Sequence, residues 1–144
     1  MMFSQVQLGV LAAIYNASIL LFNVGFTKWE PITELDPNMW SMFGQMMVLI
    51  WGAVFIAAGL SGKGTAALWY AFVLEKLIYV IGWLYWHATH SGIGLVQDAL
   101  TDGFSEEVLP PLFHCLYGSG DIVFGILFWQ MGNELQQKSK SHSD

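Results

Sequence analysis

The chain contains no arginine, and it carries little charge of either sign for its length of 144 residues. Charged residues make up 11% of it, against about a quarter in soluble domains, while 55% of its residues are hydrophobic. Arginine is the side chain that recognises phosphate through two parallel hydrogen bonds, so its absence argues against a nucleic-acid partner. The composition predicts an integral membrane protein whose main partner is the lipid bilayer.

Cysteine is nearly as scarce. Cys115 is the only one, which excludes an intramolecular disulfide and any site built from paired thiols. The chain also lacks the GxSxG and HExxH motifs of hydrolases and metalloproteases. Whether the protein is an enzyme therefore stays open from the sequence, and so does the identity of any cofactor.

Long apolar runs are abundant. Crossing a hydrocarbon core of about 30 Å takes roughly 20 apolar residues in a helix. Four windows reach that length, at residues 6–26, 40–60, 66–86 and 110–132, and the turn at 61–65 is too short for anything except two helices running in opposite directions. We predict an all-α membrane protein with one domain, residues 1–138, folded as an antiparallel bundle of four transmembrane helices and followed by a polar tail at 139–144.

The third connection, at residues 96–108, has a helical pattern of its own. Its apolar residues recur at every fourth position, and acidic residues recur on another face. That pattern predicts a short helix lying in the membrane interface. A plain loop with solvated acids is the alternative.

The placement of lysine predicts the orientation. Lys63, Lys138 and Lys140 lie on one side of the predicted bundle, and the two opposite loops contain only Lys28. Because lysine is enriched in cytoplasmic loops, we expect both termini to be cytoplasmic. The expected location is the cell (cytoplasmic) membrane.

Small and polar residues recur at intervals of seven in each predicted helix. Membrane helices use such residues at their contacts because they let two backbones approach closely, and the interval keeps the contact facing its neighbour. We predict four contact seams, one on each helix: Gly9, Asn16 and Asn23; Gln45, Gly52 and Gly59; Glu75 and Gly82; Gly118, Gly125 and Gly132.

Four polar residues fall at one depth of the predicted bundle. Asn16, Glu75 and Lys76 lie about ten residues from the inner boundary and Asp121 about eleven, which is roughly 15 Å at ~1.5 Å per residue. A charge at that depth costs ~3 kcal/mol or more unless it is paired. We predict that Lys76 pairs with Asp121, because Glu75 diverges from Lys76 by ~100° around their helix.

That pairing leaves Glu75 as an extra acid, and the layer has an excess charge of −1. Either one acid keeps a proton, or the layer holds a cation or a ligand amine. Three interpretations stay open. The layer could be a structural latch, a proton or cation relay, or a site for a small molecule or a lipid headgroup.

Three histidines form a second group near the predicted outer surface. His87 and His90 lie three residues apart at the end of the third helix, and His114 lies one turn into the fourth. Imidazole binds zinc, copper and haem iron, so these residues are candidate ligands for a metal or a haem, and solvated interface histidines are the alternative. His114, Tyr117 and Asp121 share a helix face, which favours either a hydrogen-bonded line to the central layer or ordinary core packing.

The sequence supports three classes of function. The first is the binding or handling of a small ligand, a proton or a cation, by Glu75, Lys76, Asp121, Asn16 and Tyr117. The second is an accessory or assembly subunit of a membrane complex, or a homo-oligomer, in which the charges act as a structural latch. The third is a metal- or haem-dependent membrane oxidoreductase with its ligands among His87, His90 and His114.

Overall fold

The computed structural model describes residues 3–19, 30–90, 94, 97–98, 101 and 109–141. Within those ranges the chain is helical and contains no strand. The helices with defined bounds are α1 (Gln5–Ala17), α2 (Glu30–Leu35), α3 (Met42–Ser61), α4 (Ala66–His90) and α5 (Leu109–Ser141).

The helix boundaries follow from the local sequence. Ser4 caps α1 by accepting a hydrogen bond from the amide of Gln7, whose side chain accepts one from the Ser4 amide in return. Ser41 caps α3, and that helix ends at Gly62, whose φ of 60° favours glycine. Pro110 lies in the first turn of α5, where a missing amide hydrogen breaks no helical hydrogen bond.

Three helices among the described residues, α3, α4 and α5, are long and apolar enough to cross a membrane. They occupy nearly all of the second, third and fourth predicted windows, and α5 continues beyond its window into the start of the predicted polar tail. Three such helices are compatible with a multi-pass membrane protein. In the first window, α1 is 13 residues long. Residues 20–26 lie outside the described part of the chain, so a fourth span stays a prediction.

Most of the interfacial helix predicted at 96–108 also lies outside the described residues. Gln97, Asp98 and Thr101 are described there, and each is helical. The Thr101 hydroxyl donates a hydrogen bond of 2.9 Å to the Gln97 carbonyl one turn earlier. The rest of that prediction is untested.

Glycines bring α1 into close contact with α3. A Cβ atom at Gly9 would lie 2.8 Å from the Cα of Gly59, so the two backbones leave no room for a side chain there. Similarly, a Cβ atom added at Gly52 would lie 3.1 Å from the Cβ of Asn16. These contacts join the seams that the seven-residue interval predicts for the two helices. Asn23 of the same seam lies outside the described residues.

Glycines of α5 contact α4 in a different way, because each one faces a large side chain rather than another glycine. The three pairs are Gly118 with Trp83, Gly125 with Lys76, and Gly132 with Tyr70. The seam predicted for α4 is wrong at Gly82, where a Cβ would meet no atom within 4 Å. The physical reason is that α4 contributes large side chains to this contact, and the glycines of α5 leave the space into which those side chains pack.

Two clusters of buried apolar side chains lie on either side of the polar residues of α4. The first draws on four helices and contains Leu8, Ala12, Phe55, Ala58, Trp69, Phe72, Phe128 and Met131. The second contains Ile19, Ile32, Trp40, Val48, Phe113 and Tyr117. The outer surface of α4 is apolar as well, with exposed Leu74, Leu77, Ile78, Ile81 and Leu84. Charges inside and apolar side chains outside are the arrangement that lipid favours.

Candidate functional site

Lys76 of α4 and Asp121 of α5 form a buried ion pair, which is the contact expected from their matching depth. The lysine Nζ lies 2.7 Å from Oδ1 of Asp121, and both side chains are at most 3% exposed. Asn16 of α1 accepts a second hydrogen bond from the same Nζ at 3.3 Å, and its amide nitrogen donates to the Val48 carbonyl of α3 at 2.8 Å. The layer therefore links α1, α3, α4 and α5.

Aromatic rings complete the surroundings of the lysine ammonium group. The ring centroids of Tyr15, Phe55 and Tyr79 lie 5.4, 5.2 and 5.8 Å from the Nζ of Lys76. A cation within about 6 Å of an aromatic face is attracted to it. With a carboxylate, an amide oxygen and three rings around it, this positive charge is compensated without Glu75.

Glu75 adjoins the ion pair without sharing its hydrogen bonds. Its side chain is 4% exposed, and its Oε2 lies 3.6 Å from the Nζ of Lys76, which is beyond hydrogen-bond distance. Neither carboxyl oxygen has a hydrogen-bond partner among the described residues. The expected divergence of the two side chains is only partial, because the flexible lysine stem brings the ammonium group back towards Glu75. A buried carboxyl group without a donor requires an explanation.

Tyr117 is buried one turn before Asp121 on α5. Its ring stacks on that of Tyr15, with centroids 4.8 Å apart, and meets Trp40 edge-on at 5.2 Å. In the described structure its hydroxyl has no hydrogen-bond partner, whereas the Tyr15 hydroxyl donates to the Tyr117 carbonyl. The face shared with His114 is therefore not a hydrogen-bonded line, and the contacts of Tyr117 are those of core packing.

A cavity of about 260 Å³ reaches the ion pair from one side, between α4 and α5. Lys76 and Asp121 lie at its polar end, and most of its wall is apolar. Leu77, Ile126 and Trp129 of that wall are also exposed on the outer surface of the helices. The cavity therefore opens at the outer surface of α4 and α5.

A second polar cluster forms around Asp36, which lies between α2 and α3. It is called the outer cluster because the orientation predicted from the lysines would place it outside. The Oδ1 of Asp36 accepts hydrogen bonds from the amides of Asn38 and Met39 at 3.2 and 3.1 Å, and its Oδ2 lies 3.1 Å from Nε2 of His114. Burial opposes the ionisation of Asp36, but the hydrogen bonds from His114 and the two amides outweigh it and hold the pKa of this carboxyl below its ordinary value. Asp36 thereby attaches the segment before α3 to α5.

Two tryptophans of α4 brace this cluster. The Nε1 of Trp86 donates to the Leu35 carbonyl at 3.0 Å, and its ring centroid lies 4.3 Å from that of His114. The Nε1 of Trp83 donates to the His114 carbonyl at 3.1 Å. These contacts fix both the backbone and the ring of His114.

The three candidate metal ligands are not brought together into one site. His87 and His114 are neighbours, with ring centroids 5.5 Å apart, but His90 is exposed and stacks on Trp86. The Nε2 of His87 lies 3.6 Å from the Sγ of Cys115. Within the part of the chain that the structure describes, no three His, Cys, Asp or Glu side chains are arranged to hold a metal ion. The geometry gives the metal and haem hypotheses no support.

Asp36 is absent from the site residues predicted from the sequence. A local signal exists, because an aspartate followed by proline and asparagine often accepts hydrogen bonds from the amides two and three residues later. Its pairing with His114 has no local signal, since the two residues lie 78 positions apart.

Comparisons with protein-family models, with curated proteins and with solved structures found no match to this chain. Fold and site define an all-helical protein with membrane-compatible helices and a buried charged layer. The buried charged layer is therefore the feature from which a function can be inferred.

Proposed function

We propose that the chain is a multi-pass protein of the cytoplasmic membrane that binds a proton or a small cation at Glu75. The observation that carries the proposal is a buried carboxyl group without a hydrogen-bond partner among the described residues, 3.6 Å from an ammonium group that already pairs with Asp121 at 2.7 Å. An ionised carboxylate left in that position is strongly unfavourable. A proton or a cation at Glu75 completes the layer and balances its charge.

The architecture that we propose around this site is an antiparallel bundle of four spanning helices. Its support is the order of the helix contacts, which runs in opposite directions along each pair: Gly9 with Gly59 and Asn16 with Gly52; Gly118 with Trp83 and Gly132 with Tyr70. The fourth span is the one predicted at residues 6–26, of which residues 20–26 lie outside the described part of the chain.

The proposed orientation places both termini in the cytoplasm, because Lys63, Lys138 and Lys140 are then on the cytoplasmic side. A reporter fused after Asp144 and another inserted in the 61–65 turn should both be cytoplasmic. One inserted near Asp98 should lie outside. An external C-terminal reporter would contradict the orientation without affecting the helix contacts.

Glu75→Gln tests the proposed function, because glutamine keeps the size and hydrogen-bonding capacity of the side chain but cannot release a proton or balance a cation. We expect the parent protein in detergent to lose thermal stability as the pH rises from mildly acidic to mildly basic, since proton loss leaves a buried charge. Na⁺ or K⁺ should reverse part of that loss if the site accepts a metal cation. Glu75→Gln should fold equally well and show neither dependence.

Glu34→Gln is the matched control, because it makes the same chemical change at an exposed glutamate outside the spanning helices. It should keep the pH and cation dependence of the parent. If the parent and Glu75→Gln differ by the same amount at every pH, and the variant keeps the cellular phenotype, the layer is a structural latch. The accessory-subunit hypothesis then takes its place, and a partner complex that survives purification would support it.

The side cavity favours a second candidate, the binding of a small apolar molecule or lipid that places one polar group against Lys76 and Asp121. Its volume of about 260 Å³ and its apolar wall support this alternative. Mass spectrometry of molecules that co-purify with the parent and with Ile126→Trp, which narrows the outer part of the cavity, tests it. A ligand present in the parent and reduced in the variant is the expected result, and equal amounts would contradict it.

A further inference from the structure

A second cavity, of about 290 Å³, lies between α4 and the segment that joins α2 to α3. Gly82 keeps it open, because the space where its side chain would lie contains no atom within 4 Å. Asp36 lines one side of this cavity, and Tyr79, Tyr85, Trp86 and His90 line the other. Its volume is close to the lower end of ordinary ligand pockets, roughly 300 Å³.

Asp36 and His90 contribute polar side chains to the wall of this cavity. The Nδ1 of His90 lies 2.8 Å from the Thr89 hydroxyl oxygen and 3.2 Å from the Trp86 carbonyl oxygen, so both of these contacts are made by Nδ1 and neither by Nε2. Stacking on Trp86, with an interplanar angle of 8°, holds the ring in place. Asp36 accepts three hydrogen bonds of the roughly four that a carboxylate can take, so it can receive one more.

The negative charge of Asp36 and the aromatic wall of the cavity indicate which kind of ligand it would bind. No lysine is among the described residues that line the cavity, and Tyr79, Tyr85 and Trp86 supply aromatic rings. We propose that this outer cavity binds a small organic ammonium ion, whose N–H groups donate to the Asp36 carboxylate and whose charge meets the aromatic wall. The site is separate from Glu75 and does not depend on the function proposed there.

Calorimetric titration of the full-length protein in detergent tests this site, with n-butylammonium as the probe and n-butanol as a neutral compound of the same length. We expect saturable binding of the ammonium ion and at least tenfold weaker binding of the alcohol. Gly82→Leu places a Cβ where no atom lies within 4 Å and directs a leucine side chain into the cavity, which should abolish binding. Ala88→Leu is the matched control, because it introduces the same side chain at an exposed position of α4 that does not line the cavity. Tyr85→Leu removes one exposed ring and should weaken binding about two- to fivefold.

Each other outcome overturns the proposal. Equal binding of butanol removes the ammonium assignment, equal binding by Gly82→Leu removes the location, and a parent without saturable binding removes both. Glu75→Gln should bind n-butylammonium as the parent does. Binding that Glu75→Gln loses and Gly82→Leu keeps would place the ammonium ion in the central layer, which contradicts the outer site while supporting the function proposed for Glu75.

Discussion

The central layer and the outer cluster each bury a carboxyl group to the same degree, but they differ in the hydrogen bonds that they supply to it. Asp36 is 5% exposed and Glu75 4%. Folding supplies Asp36 with two backbone amides and an imidazole, whereas Glu75 has no hydrogen-bond donor among the described residues. The two carboxyl groups are therefore equally buried, and what distinguishes Glu75 is the missing hydrogen-bond donor. The function proposed for Glu75 rests on that missing donor, because stability gives no reason to keep a carboxyl group unsatisfied.

The outer cluster has unsatisfied atoms too, but they are of a different kind. Trp40 Nε1, His87 Nδ1 and His114 Nδ1 lack hydrogen-bond partners within the described structure. Each is a ring nitrogen and none is a carboxylate, and leaving an uncharged polar group of this kind unpaired costs about 1–3 kcal/mol. An ionised carboxylate buried without a hydrogen-bond donor costs more, so the contrast between the two regions rests on charge.

The largest expected effect comes from removing the cation of the central layer. Lys76→Met leaves the buried Asp121 carboxylate without its positive partner and should destabilise the protein by about 3–5 kcal/mol. Adding Asp121→Leu should recover much of that loss, because it removes the unpaired charge. Equilibrium unfolding in mixed micelles measures both variants and Asp121→Leu alone, as a double-mutant cycle. Strictly additive losses would mean that Lys76 and Asp121 are not partners. The central layer would then have no ion pair to compare with the outer cluster.

An intermediate effect is expected in the outer cluster. Asp36→Asn keeps the shape of the side chain but loses the charge that His114 and two amides stabilise, so we expect a loss of about 1–3 kcal/mol near neutral pH. Because the folded-state pKa lies below the ordinary value of 3.8, this stabilisation is present above that pH and disappears as the pH falls through the folded pKa. The difference between parent and variant should therefore narrow in acid.

Thermal unfolding of the parent and Asp36→Asn at a series of pH values checks that expectation. Asp98→Asn, at an exposed helical position, serves as the control and should match the parent throughout. A stability difference between the parent and Asp36→Asn that widens in acid would mean that folding raises the pKa of Asp36. That result would contradict the interpretation of Asp36 as a carboxylate stabilised by its hydrogen bonds.

The sequence predicted the features that depend on spacing along single helices. Apolar length located α3, α4 and α5, because a spanning helix must be continuously apolar. Equal depth predicted the contact of Lys76 with Asp121, since a buried charge at that level has few possible partners. The seven-residue interval predicted the close approach of α1 and α3, because glycine is the residue that allows it.

The features that depend on how one helix is rotated against another could not be predicted. Spacing alone gave Glu75 and Gly82 the same role on α4, yet Glu75 is buried beside Lys76 while Gly82 opens a cavity. The pairing of Asp36 with His114 joins a short connecting segment to a distant helix. It depends on the path of the chain between them, which no periodic pattern records.

The smallest expected effect comes from adding one methyl group at each of two glycines. Gly52 lies in the packed central layer, and Gly82 lies at the open second cavity. Gly82→Ala should stabilise the protein by up to about 1 kcal/mol, because alanine favours the helix and the new Cβ meets no atom within 4 Å. Gly52→Ala makes the same change where the new Cβ would lie 3.1 Å from that of Asn16, so the gain in helix propensity should be cancelled or reversed as Asn16 shifts away from Lys76. Unfolding midpoints of the two variants, measured side by side in one detergent, should therefore move in opposite directions or differ clearly. If both rise equally, the space around Asn16 is as open as the space around Gly82, and the central layer has room to adjust without losing its contacts.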